Sequence, residues 1–190
     1  MPTVFTHPVV PLALGLGLGR DVVSRPLLVA GVIASVLPDL DVLAFRFGIS
    51  YASLFGHRGF SHSLLFAGLI AGLGMAIAPR LRTTRLVAFV FLFVATASHG
   101  LLDACTTGGK GVALFWPWSD ERLFAPFRTI VVSPLDLSRF FSPRGWRTIN
   151  SELFWVWTPG VALALGLRAL RWGWERRRIG REACTDQDSA

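Results

Sequence analysis

Histidine and aspartate gather in four short stretches of the first 103 residues. They are "TH" ending at His7, "LPDLD" with Asp39 and Asp41, "HRGFSHS" with His57 and His62, and "SHGLLDACTT" with His99 and Asp103. Imidazole nitrogens and carboxylate oxygens are ligands for Zn²⁺, Mn²⁺ or Fe. His99 and Asp103 are four residues apart, so on a helix both side chains leave the same face. Asp39 and Asp41 are two apart, which puts both carboxylates on one side of an extended segment. Pro38 favours that geometry by pushing Leu37 away from helical dihedrals. In "HRGFSHS", Gly59 permits a turn and Ser61 can cap the coming helix. His57 in the loop and His62 in the first helical turn can then converge. Four His and three Asp exceed what one tetrahedral ion needs. They suit two metals about 3.5–4 Å apart, clamping a water and a scissile phosphoester or acyl group.

The elements that must position these residues are apolar. The chain has 190 residues, 52% hydrophobic and 16% charged, with seven Trp and fifteen Phe. Soluble domains carry about 25% charged residues, so this composition predicts an integral membrane protein. Apolar runs occupy roughly 8–19, 26–37, 63–79, 86–104 and 153–170. A spanning helix needs about 20 residues; the last three runs qualify, and the first two are short or only partly inserted. A secretory leader is disfavoured, because no Lys or Arg precedes the first run and no A-x-A-like site follows it. Residues 105–152 form a mixed Gly-, Pro- and aromatic-rich segment, whose Trp116 and Trp118 suit an interfacial belt. Cys105 and Cys184 are too few to define a disulfide framework.

Arginine sets the topology. Of the 19 basic residues 18 are Arg, and they cluster at 80–85 and 168–181, each abutting an apolar run. That placement reads as the cytoplasmic ends of membrane helices, not as a nucleic-acid surface. The turn at 20–25, with Arg20 and Arg25, joins the same side. Residues 1–8, 38–62 and 99–152 then fall on the opposite face. All four histidines lie there, with Asp39, Asp41 and Asp103, three of the four acids in the first 110 residues. A single His at a helix end is commonly a cap, "PDLD" alone is commonly a turn, and Asp103 could merely accept a hydrogen bond from His99. None of these readings explains why all the histidines share one face. Ionisable groups at the membrane edge are functional candidates by default.

In this order, "TH", "LPDLD", "HRGFSHS" and "SHGLLDACTT" resemble the YdjM-type membrane-bound metal-dependent hydrolases, some of them regulated by the SOS repressor LexA. The resemblance covers roughly residues 1–160. It implies a small helical inner-membrane protein with metal-dependent hydrolase activity. It carries His7, Asp39, His57, His62, His99 and Asp103 over as site positions, with Asp41 as a ligand or a partner of one. The ligand pattern is also similar in style to zinc-dependent phospholipase C and nuclease enzymes, which is analogy alone.

Four further residues have more than one reading each. Arg58 suits an anionic substrate or a lipid headgroup, and Lys110 has the same pair, with lipid contact favoured. Glu152, opening the last helix, is a candidate general base, a further ligand or ordinary helix-dipole complementation. Cys105 is a soft ligand or a small buried apolar residue.

The expected protein is all-α: a polytopic bundle of four or five helices, with a metal site at helix ends on one membrane face. The membrane domain covers 1–172 and a basic, then polar, cytoplasmic tail covers 173–190, with its last ten residues disordered. The expected function is hydrolysis of phosphoester bonds in lipids or related anionic substrates, with one or two divalent ions, zinc first. Arg58 and Glu152 are the candidate catalytic groups. The expected location is the inner membrane, with the site facing away from the cytoplasm. No nucleic-acid partner is expected. The alternative is a membrane protein whose metal is structural or transported.

Overall fold

The computed structural model describes residues 1–133 and 142–187. Hydroxyl side chains start most of its helices. Helix α1 covers Val9–Leu18. Helix α2, Arg25–Val36, is capped by Ser24, whose Oγ accepts from Leu27 N at 3.2 Å. Helix α3, Leu64–Ala76, is capped by Ser63, and α4, Arg85–Ala104, by Thr84. Helix α5, Pro143–Glu152, passes through a π-helical turn, Leu153–Trp157, into α6, Thr158–Gln187. No strand forms among the described residues; only isolated bridges join Thr106 to Ile130 and Val112 to Leu123.

Three helices are long and apolar enough to cross a membrane: Arg25–Phe47, Arg85–Ala104 and Pro143–Arg178. The all-helical membrane fold agrees with expectation, but its lengths differ. The second apolar run does not stop near residue 37. A 3₁₀ segment, Leu37–Phe47, carries it on, because Leu37 keeps helical dihedrals despite the following proline. The third run yields only a 13-residue helix, about 20 Å long at 1.5 Å per residue, short of a hydrocarbon core of about 30 Å. The last helix runs on through residues 173–187, so the stretch 181–187, expected to be disordered, is helical. Residues 188–190 lie outside the described residues.

The helices pack through small residues. Leu27, Ala34, Ala71, Ala88, Phe91 and Leu92 form a core between α2, α3 and α4. Small side chains let backbones approach where lipid supplies no hydrophobic drive. Helix α6 packs along α1 but leaves Leu163, Leu165, Trp172 and Trp174 exposed, the surface expected of a helix facing lipid.

The basic segments meet at one end. Arg171 donates to the carbonyl of Leu18 at 3.0 Å and pairs with Asp21 in the α1–α2 turn. Ser24 donates to the carbonyl of Leu81 beside the 80–85 cluster. The histidines collect at the other end.

Candidate metal centre

Four segments converge on this end. They are the turn before α1, the 3₁₀ segment after α2, the loop before α3 and the last turns of α4. Asp39, His62, His99 and Asp103 each offer one ligand atom within 4.8 Å of the others. All four residues are buried, as is His7. His62 Nε2 lies 3.1 Å from His99 Nε2 and 3.3 Å from Asp103 Oδ2. His99 Nε2 lies 3.3 Å from Asp39 Oδ1. Bonds of about 2.0–2.2 Å to a tetrahedral ion set its ligand atoms about 3.3–3.6 Å apart, so these spacings fit a shared cation.

The donor set supports the same fit. His99 Nδ1 lies 2.7 Å from the Ser35 carbonyl and donates to it, which leaves Nε2 as the lone-pair nitrogen. Both oxygens of Asp39 and both nitrogens of His7 are buried without a hydrogen-bond partner, while Asp103 meets the Arg58 guanidinium through Oδ2. Buried acceptors facing one another are costly unless a cation joins them. Asp39 offers one oxygen to each side: Oδ1 toward His99, and Oδ2 to His7 Nε2 at 3.7 Å. The His7 ring stacks on that of His99 at 3.6 Å. Burial, then the neighbouring His99, hold the His7 pKa well below its ordinary value, so its nitrogens are neutral. Burial opposes charge on His62, but the carboxylates of Asp103 and Asp41 outweigh it and raise its pKa to about 9. Without a metal, a proton on His62 supplies the positive charge that these acids demand.

Asp39 and Asp41 do not share a side. The segment is 3₁₀, not extended, and its three residues per turn turn residues two apart to different faces. Asp41 therefore meets other partners. His57 Nδ1 donates to its Oδ1 at 2.6 Å, and Ser61 Oγ and the Arg58 N–H donate to its Oδ2 at 2.6 and 3.1 Å. His62 Nδ1 lies 3.1 Å from the same oxygen. Asp41, His57 and His62 could hold an ion by spacing alone, but Asp41 is already saturated with donors. Its contact with His62 Nδ1 has the geometry of a carboxylate that orients a ligand histidine. His57 is bound to that carboxylate and is not in the four-residue group.

Arg58 is fully buried: its Nε lies 2.9 Å from Asp103 Oδ2, and its other nitrogens donate to the Gly108 carbonyl and Thr106 Oγ. Its guanidinium is spent on Asp103 and the 106–108 loop, not offered to a substrate. Glu152 is also buried and bonds Thr3 and Thr6. Lys110 is exposed, its Nζ 5.7 Å from the Tyr51 ring centroid. Cys105 packs with Val9, Ile130 and Val156, its plainer reading. Ser61 does not cap α3; Ser63 does, and His62 sits in a short 3₁₀ turn ahead of the helix.

Two glycines make the convergence possible. A Cβ on Gly100 would lie 2.6 Å from the His62 carbonyl, and one on Gly59 only 2.0 Å from that of Leu54. Arg122 adds a brace that sequence reasoning missed, donating to the carbonyls of His57, Tyr51 and Ser53. Ser35 was missed too. It acts through its main-chain oxygen, which leaves no signature in residue type.

The family of YdjM inner membrane proteins matches residues 1–175. The chain belongs to that family. Inner membrane protein YbcI of Escherichia coli (strain K12) is 52% identical over 179 residues, spanning 94% of this chain and 100% of that protein. No solved structure matches. Family membership and the apolar helices support an inner-membrane location for this YdjM-family chain.

Proposed function

We propose that this protein is a membrane-bound metal-dependent hydrolase acting on phosphoester bonds of lipids or related anionic headgroups. The observation that carries this reading is the cluster of buried Asp and His ligand atoms at one end of an apolar bundle, with Asp39 and His7 left without any hydrogen-bond partner. Asp39, His62, His99 and Asp103 are the residues that would hold the ion, zinc first and manganese or iron next, with His7 at its edge. Asp39, facing both His99 and His7, would let the centre take one ion or two.

When bound, such a metal lowers the pKa of its water toward about 7 and polarises the scissile phosphoryl oxygen. The chain's own residues do the rest. Asp41 orients His62, and Arg58 holds Asp103 and balances its charge. An apolar groove of about 390 Å³ runs along Leu37, Leu40, Phe55, Phe60, Phe66 and Ile70 to Asp41 and Ser61. A chain lying there would bring its polar end beside the cluster, which favours a lipid substrate. The arginine-bearing end would face the cytoplasm, and the metal end the opposite side.

One observation favours a second reading. Four buried ligand residues whose donor atoms lie within 4.8 Å of one another are enough in number to close a structural zinc site. A transported ion fits less well, because transport sites lie near the bilayer midplane and these residues lie at helix ends. A screen of phospholipid and phosphodiester substrates with purified, metal-loaded protein separates the readings. Metal-dependent turnover that falls at least about 100-fold in Asp39→Ala supports the hydrolase. Stoichiometric metal with no turnover on any ester would contradict it and favour the closed ion.

A further inference from the structure

His7 needs something to hold it, because neither ring nitrogen has a hydrogen-bond partner. It precedes α1, in a segment of turns with no regular helix. The contacts that fix that segment come from the far end of the chain. Thr3 N donates to Glu152 Oε1 at 2.5 Å, and the Thr3 and Thr6 hydroxyls both donate to Oε2 at 2.6 Å. Trp157 Nε1 donates to Thr6 Oγ at 3.2 Å. Beneath them, Val9 packs on Val156 and Ile130.

The π-helical turn explains why two residues five apart can grip one threonine. Its i→i+5 bonding, seen in Thr158 N to the Leu153 carbonyl, brings residues five apart nearly into line. Glu152 and Trp157 therefore both face Thr6. Such turns recur at functional sites. Glu152 is buried and engaged by three donors from Thr3 and Thr6, so its contacts are with the N-terminal segment.

We propose that Glu152 is a positioning residue: through Thr3 and Thr6 it clamps the N-terminal segment and so sets His7 against Asp39 and His99. The clamp ties the α5–α6 pair to the centre built by the other helices. This inference rests on the metal-centre reading above. It gives a different role to the acid that the sequence offered as a general base or ligand.

Cobalt titration of purified full-length protein tests it, since Co²⁺ reports both affinity and ligand environment. Glu152→Ala should weaken Co²⁺ binding about ten-fold or more and give the same altered visible spectrum as His7→Ala. The Glu152→Ala/His7→Ala double variant should bind no more weakly than His7→Ala alone, because the two act through one contact. Glu152→Gln keeps an acceptor for Thr3 N and should restore part of the loss. If Glu152→Ala does not fold, Thr6→Val, which removes the bonds of Thr6 to Glu152 and Trp157 but keeps those of Thr3, should show a smaller loss with the same lack of additivity. Unchanged binding in Glu152→Ala, or a loss that adds fully to that of His7→Ala, would overturn the inference while wild-type binding leaves the metal centre standing. Failure of the wild type to bind Co²⁺ at all would remove the metal reading instead.

Discussion

At the scale of single residues, the centre divides its acids by role. Asp39 is a buried carboxylate with no hydrogen-bond partner and Asp103 is buried against Arg58 and His62, whereas Asp41 is surrounded by donors from His57, Arg58 and Ser61. The first pair is poised for a cation and the second acid for orienting a ligand. Asp41→Asn should therefore leave the protein folded and weaken metal binding about 10–100-fold, the usual cost of losing an orienting partner. Competition with a metallochromic chelator would measure this. A loss as complete as that of Asp39→Ala would make Asp41 a ligand in its own right.

At the scale of elements, much of the design was legible and some was not. The i, i+4 pair His99 and Asp103 faces one way, as helical periodicity requires. The short polar motifs at the ends of apolar runs do converge. What failed was local geometry. Pro38 argued for an extended "PDLD", yet the chain continues as a 3₁₀ segment, because burial of Pro38 and Asp39 outweighs the preference of a pre-proline residue. The same continuation lengthens the second apolar run into a candidate span, while the third run shortens to a helix of 13 residues. Glu152 and Arg58 were visible as isolated ionisable residues, but their partners Thr3, Thr6 and Thr106 lie far away in sequence. Contacts between distant segments leave no local periodicity to read.

At the scale of the whole molecule, the charge pattern divides two ends. Arg171 with the α1–α2 turn, and Ser24 with Leu81, bring the three basic segments together, far along the helices from the histidines. The positive-inside rule places that end in the cytoplasm. In a background lacking Cys105 and Cys184, a membrane-impermeant thiol reagent on spheroplasts should label Ala52→Cys and spare Thr83→Cys; the reverse pattern would invert the topology. The most direct test of the central claim is metal content. Purified wild-type protein, Asp39→Ala and Asp21→Ala should be compared by inductively coupled plasma mass spectrometry. Asp21 is exposed at the basic end and pairs with Arg171 at the surface, a contact worth little. Wild type and Asp21→Ala should carry one or two divalent ions per chain, and Asp39→Ala should lose most of them. Equal metal in all three proteins, or none in the wild type, would contradict a His/Asp metal centre.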